Sequence, residues 1–123
     1  MSTFLEVCEH AARAAGQVLL DWQDRFTVRE KGPADLVTEA DVAAQETVQG
    51  IVLQAFPKHG FVAEENVAIP SQDSGYRWIV DPLDGTTNYV HRMPEYAVSI
   101  ALEQHGRVLV GCVFNPANGE CYT

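Results

Sequence analysis

Positive charge is what this chain has least of: eight Lys and Arg face 17 Asp and Glu, leaving a net charge of −9. A surplus of that sign disfavours nonspecific attachment to nucleic acid or to anionic membrane. No aromatic platform interleaved with basic residues points to single-stranded nucleic acid either. Long apolar runs are also missing, and none approaches the roughly 20 residues of a membrane-spanning helix. The first apolar residues are interrupted by Glu6, Glu9, His10 and Arg13, so a secretion signal is not expected. Neither nucleic acid nor membrane is an expected partner.

Cysteine is sparse. Cys8, Cys112 and Cys121 form neither an even-numbered framework nor a Cys-x-x-Cys motif, which argues for a reducing compartment, the cytoplasm, and for three small core residues. His10, His59, His91 and His105 are scattered without ligand spacing, which leaves little for a zinc centre. Internal repeats, low-complexity tracts and interdomain linkers are absent. At 123 residues with 46% hydrophobic and 20% charged content, the chain can bury one core, and one domain is the ceiling.

What is present reads as two helices followed by strands. Leu5, Cys8, Ala12, Ala15, Leu19 and Trp22 recur at steps of three and four, predicting an amphipathic helix over about residues 3 to 25, with Thr3 and Glu6 as a capping box. Lys31-Gly-Pro-Ala-Asp35 reads as a loop before a second helix beginning near Thr38. Its buried stripe is Ala44, Val48, Ile51, Val52 and Ala55, and Pro57 with Gly60 ends it. Short strands are expected at 61–63, 76–80, 97–102 and 108–114, with another starting at Glu120. His105-Gly106 marks a hairpin and Asn115 to Gly119 a turn. The stretch from Asn66 to Gly75 reads as a polar, acidic loop. Trp22, Trp78, Tyr89 and Phe114 are assigned to the core. The expected fold is α+β, with two helices on one face of an antiparallel sheet.

The richest stretch is Trp78-Ile-Val-Asp81-Pro82-Leu83-Asp84-Gly85-Thr86-Thr87-Asn88. A buried strand delivers Asp81 to its end, and Pro82 removes a backbone donor and bars helical angles at Asp81. Asp81 and Asp84 therefore sit on a tight corner. Two carboxylates about 4 Å apart repel by roughly 4 kcal/mol at an effective dielectric of 20, which a cation between them would relieve. Hard oxygen donors without neighbouring Cys or His favour Mg²⁺ over zinc. Gly85, Thr86 and Thr87 add flexibility, hydroxyls and free backbone N–H groups, as at a helix start that attracts phosphate. Metal-assisted hydrolysis of a phosphate ester is the chemistry such a pairing suggests. An Asp-Pro-x-Asp-Gly surface turn is the plainer alternative.

Trp78 to His91, with Asp-Pro-Leu-Asp-Gly-Thr-Thr-Asn-Tyr-Val-His, resembles the first signature of the inositol monophosphatase family. Asp35-Leu-Val-Thr-Glu-Ala-Asp41 and Phe61-Val-Ala-Glu64-Glu65 follow the same pattern in the same order. The resemblance spans nearly the whole chain. The family's second signature, Trp-Asp-x-Ala-Ala, belongs to a C-terminal half that completes the metal site and supplies most substrate contacts; nothing here corresponds to it. The fold so implied is the layered sugar-phosphatase fold, represented by its N-terminal portion.

The resemblance assigns metal binding to Glu64, Asp81 and Asp84, with the backbone carbonyl of Leu83 as a further ligand. From the residues alone, Glu64 and Glu65 could exchange roles. Thr38-Glu-Ala-Asp41 fits a helix cap worth about 1 kcal/mol, while the resemblance makes Asp41 catalytic together with Glu64 and Thr86. In the implied mechanism, water on a Mg²⁺ held by Glu64 is deprotonated with help from Thr86 and Asp41 and attacks phosphorus in line. Gly85, Thr86 and Thr87 hold the phosphate. Metal at Asp81 and Asp84 stabilises the departing alkoxide.

His91 and Arg92 read as packing or surface residues and Lys31 as a solvated loop lysine, since the metal already provides activation. The expected activity is Mg²⁺-dependent hydrolysis of a small phosphorylated polyol or sugar, inositol monophosphate first. Fructose 1,6-bisphosphate, histidinol phosphate and nucleotide 3′-phosphates are substrates of similar enzymes. Lithium sensitivity and homodimer formation are implied by the resemblance as well. Residues 1–123 are expected to be a truncated piece of the enzyme; the alternative is a noncatalytic metal-binding or interaction module.

Overall fold

A computed structural model describes residues 3–23, 33–63, 67–85, 88–89 and 95–123, with backbone alone at 33–38 and 67. Two helices, α1 (Phe4–Gln23) and α2 (Pro33–Ala55), precede β1 (Gly60–Ala63), β2 (Val67–Ile69), β3 (Tyr76–Asp84), β4 (Ala97–Gln104), β5 (Arg107–Asn115) and β6 (Glu120–Tyr122). The strands form one sheet in the order β2-β1-β3-β4-β5-β6. Both helices lie against one of its faces, which establishes the α+β layered class.

The capping box forms as the sequence predicts: the Thr3 backbone N–H donates to Glu6 Oε1 at 2.9 Å, and the Glu6 N–H donates to Thr3 Oγ1 at 3.1 Å. Along α1, Val7, Cys8, Ala11, Ala12, Ala15 and Leu19 are buried. Their small size lets the helix approach the sheet closely. A Cβ on Gly16 would stand 2.5 Å from the Phe114 ring, so any larger residue would push α1 away from β5.

The second helix begins at Pro33, not near Thr38 as expected. Proline suits a first helical turn, where its fixed φ is already helical and its missing donor costs nothing. Residues 33–35 are therefore helix, and Asp41 lies two turns inside it. The capping role considered for Thr38 and Asp41 is thereby overturned. Ala44, Val48 and Val52 form the buried stripe as expected and extend back to Ala40, whereas Ala55 is exposed.

The sheet is mixed where a wholly antiparallel one was expected. Val67–Ile69 lay within the anticipated loop, yet it pairs antiparallel with β1, because Val and Ile suit a pleated edge and Pro70 then ends it. The chain reverses twice and returns on the other side of β1, so β3 runs parallel to β1. The remaining pairs, β3 with β4, β4 with β5 and β5 with β6, are antiparallel. His105 (φ 51°) and Gly106 (φ 82°) make the hairpin turn between β4 and β5, with positive φ at both positions as a tight hairpin requires.

Between helices and sheet, Trp78, Phe61, Val98, Ile100 and Leu102 are fully enclosed. At one end of this core the His59 ring stacks on Phe56 (4.8 Å) and Tyr76 (4.9 Å). Its Nδ1 accepts from Trp78 Nε1 at 3.1 Å. The opposite sheet face carries exposed Ile79, Leu109 and Val113. Among the described residues, no helix is long and apolar enough to cross a membrane.

Burial depresses the His59 pKa below its ordinary 6.5, with the Asp73 carboxylate 3.9 Å away opposing the shift. Below pH 6.5 the unfolded chain therefore takes up a proton that the folded one resists. Stability is fully present above that pH and should fall as pH drops through the depressed value. Urea midpoints between pH 7 and 5 should fall for the wild type, whereas His59→Gln, which keeps an acceptor but does not titrate, should show a flatter profile.

The Thr3 hydrogen bonds hold the Glu6 carboxyl below its ordinary value of 4.5. The stabilisation from that pair is present above pH 4.5 and lost as pH falls through the folded value. Protection factors for amide exchange in the first turn of α1 should fall in Thr3→Ala, and should fall in the wild type as pH is lowered through the Glu6 titration.

Candidate active site

In a regular strand, residues three apart point to opposite faces. Asp81 and Asp84 escape that rule through a bulge. Asp81 stands opposite Ser99 and Asp84 opposite Ala97, so three steps along β3 are matched by two along β4. Ser99 and Ala97 share one face of β4, and their partners therefore share it too. The burial sequence records the slip: Pro82 and Leu83 are both buried, between half-buried Asp81 and exposed Asp84. Pro82 belongs at such an irregularity because it has no N–H for the ladder. The strand thus continues past Pro82 to Asp84, further than the proline alone suggested.

Two contacts hold the corner. The Leu83 N–H donates to Asp81 Oδ1 at 3.3 Å, folding the carboxylate back on its own turn. Gly85 follows at φ 91°, and a Cβ there would lie 2.8 Å from the Glu95 carbonyl. Backbone conformation and space both require glycine at that point. The Gly85 carbonyl then accepts from the Tyr89 N–H at 3.0 Å.

Beyond Gly85 the chain is tied to α1. Tyr89 is fully buried, and its hydroxyl donates to the Leu19 carbonyl at 2.6 Å. Gln23 Nε2 donates to the Tyr89 carbonyl at 2.8 Å, while Tyr96 Oη donates to Gln23 Oε1 at 3.3 Å. Tyr89 and Tyr96 meet edge to face at 5.0 Å. Sequence reading placed Tyr89 in the core but missed Gln23 and Tyr96 as its anchors. A lone glutamine at a helix end carries no periodic signal.

Two hollows flank the carboxylates. One, of about 370 Å³, opens over Val62, Ile79 and Ala101 with Asp81 and Ser99 at its edge. The other, of about 410 Å³, is bordered by Asp84, Gly85, Asn88, Glu95, Asn115 and Tyr122. Asn88 Nδ2 donates to the Glu95 carbonyl at 2.8 Å and steadies that rim. Asp41, on α2, is half-buried with its Oδ1 closed to solvent.

The structure therefore brings Asp81, Leu83, Asp84 and Gly85 onto one bulged corner and places Asp41 in the helical layer. Glu64, Glu65, Thr86, Thr87, Lys31, His91 and Arg92 lie outside the described residues. Among the described residues no three His, Cys, Asp or Glu side chains gather around one point. Asp81 and Asp84 supply two carboxylates, and the Leu83 carbonyl is a third oxygen on the same corner. This donor set is hard and oxygen-only, which suits Mg²⁺ and not a thiophilic metal.

The family model for the inositol monophosphatase family matches residues 1–123. The chain is 45% identical to an inositol-1-monophosphatase of Mesorhizobium japonicum, over 99% of this chain and 47% of that protein. It is 38% identical to the Nus factor SuhB of Pseudomonas aeruginosa, over 100% of this chain and 47% of that protein. The crystal structure of the extragenic suppressor protein suhB from Bartonella henselae superposes with a TM-score of 0.86 at 40% identity, covering 98% of this chain and 47% of that one. The chain spans about half the length of the curated relatives it matches. A corner of this sequence on a helix-backed sheet, matched along the entire chain, has one consequence: the chain belongs to the inositol monophosphatase family.

Proposed function

We propose that this chain is the metal- and phosphate-binding half of a Mg²⁺-dependent phosphomonoesterase acting on a small phosphorylated polyol or sugar, inositol monophosphate first. The observation that carries the reading is the bulge at Pro82, which turns Asp81 and Asp84 to one face beside a glycine at φ 91°. Glu64, Asp81 and Asp84 would hold the ion with the Leu83 carbonyl. Bound there, Mg²⁺ would polarise the ester oxygens, lower the pKa of a bound water and stabilise the departing alkoxide.

The chain's own groups do the rest. Gly85, Thr86 and Thr87 grip the phosphate through backbone N–H and hydroxyl groups. Asp41 and Thr86 take the proton of the water that attacks phosphorus in line. The reading includes a cytoplasmic location, consistent with three unpaired thiols, and the homodimer that family resemblance implies.

The missing share of length supports truncation over a noncatalytic module. The exposed Ile79, Leu109 and Val113 on the sheet face away from the helices favour a further layer of protein in the complete enzyme.

The test is phosphate release from inositol monophosphate by the full-length protein with Mg²⁺. Asp84→Asn is expected to lower the rate by roughly a hundredfold or more and to weaken Mg²⁺ binding in calorimetry, with the thermal melt retained. Wild-type turnover by that variant would overturn the ligand assignment. The 123-residue chain alone is expected to release no phosphate, and turnover without the remaining half would overturn the division of labour.

A further inference from the structure

Two of the three cysteines, scattered in sequence, meet on the helix-facing side of the sheet. Cys112 on β5 and Cys121 on β6 lie with their sulfur atoms 3.1 Å apart. The register explains the meeting: Phe114 stands opposite Cys121, and Cys112 is two residues along β5, on the same face. Only about 1 Å of closure separates that contact from a disulfide bond. Cys8 is differently placed, since its thiol donates to the Ile100 carbonyl at 3.6 Å.

We infer that Cys112 and Cys121 form a reversible dithiol–disulfide pair that pins the short strand β6 across β5 and fixes the Tyr122 wall of the groove beside Asp84. Tyr122 follows Cys121 directly and borders that groove together with Asn115 and Val113. Strand β6 pairs with β5 through Val113–Tyr122, Phe114–Cys121 and Asn115–Glu120. The inference concerns β6 and does not depend on the metal assignment.

Access decides the order of events. Cys121 is half-buried at the sheet edge, whereas Cys8 and Cys112 are 0% and 2% exposed. Burial pushes the Cys8 thiol up to about 12. Burial, followed by the hydrogen bond with Cys121, raises the Cys112 thiol as well. Cys121 is therefore the first nucleophile.

The oxidant required is a small-molecule disulfide of the glutathione type. The Cys121 thiolate attacks one of its sulfurs, forming a mixed disulfide and expelling one small thiol. Cys112 then attacks the Cys121 sulfur as its proton passes to the departing second small thiol. Two protein thiols are oxidised and one disulfide is reduced to two thiols.

The test equilibrates the full chain in glutathione buffers of rising oxidised fraction, blocks free thiols with a maleimide, and digests with a glutamyl endopeptidase. Cleavage after Glu120 falls between the two cysteines, so the fragments stay joined only if a disulfide links them. Linkage is expected in the wild type and in Cys8→Ala, reversed by dithiothreitol, and absent in Cys121→Ala and Cys112→Ala. If Cys112→Ala fails to fold, Cys121→Ala at the half-buried edge carries the comparison. Amide exchange at Tyr122 should slow by roughly tenfold or more on oxidation. Full maleimide labelling at every poise, a Cys8–Cys121 link, or unchanged exchange at Tyr122 would each overturn the inference.

Discussion

One extra residue in β3 governs the arrangement of the candidate site. Without the slip between Asp81 and Asp84, the alternation of a strand would send one carboxylate into the helix-facing core and the other outward. Burying the first unpaired would cost several kcal/mol. The bulge removes that conflict by giving both inward positions to Pro82 and Leu83, which are apolar and buried. The same residue that cannot join a hydrogen-bond ladder thus permits two acids to share a face. Packing and electrostatics agree on a single backbone irregularity.

That irregularity holds its shape because its surroundings are fixed from two sides. The helical layer presses small residues of α1 against β5, close enough that Gly16 has no room for a side chain. From the same helix, Leu19 and Gln23 reach down to Tyr89 and anchor the chain just past Gly85. The Asp81 corner is thereby suspended between a regular sheet behind it and a tethered segment ahead of it. Preorganisation of this kind is what a metal or phosphate site requires, since groups already in place need no ordering when the ligand arrives.

Much of this was legible in the residues, and the reasons are particular. The Thr3–Glu6 box and the His105-Gly106 hairpin follow from short-range turn chemistry and appear as read; of the α1 stripe, Cys8, Ala12, Ala15 and Leu19 are buried, whereas Leu5 is exposed and Trp22 half-buried. The start of α2 was missed because Lys31-Gly-Pro-Ala-Asp35 looks like a loop, although proline also opens helices; only the packing partner distinguishes the two. The parallel pairing of β1 with β3 was hidden because it depends on β2, three residues in a stretch dominated by polar neighbours. At Pro82 the proline signalled an interruption correctly, but whether the strand stops or bulges depends on Ala97 and Ser99 across the ladder. The roles given to Glu64, Thr86 and Thr87 come from motif resemblance and remain proposals of chemistry, whereas Asp81 and Asp84 now have a shared face.

The same logic of register separates the acidic corner from the cysteines. Both depend on which side chains a strand brings to one face, yet the outcomes differ by side of the sheet. Asp81 and Asp84 lie on the face turned away from the helices, where water and cations have access. Cys112 and Cys121 lie on the helix-covered face, where burial keeps thiols protonated and leaves reactivity to the member nearest the edge. Since β5 carries Cys112 inward and Val113 outward, and Val113 stands opposite Tyr122, any constraint on the thiol side must be felt on the groove side within one residue. Chemistry at the buried edge and shape at the exposed groove are therefore coupled through the pleat of the sheet.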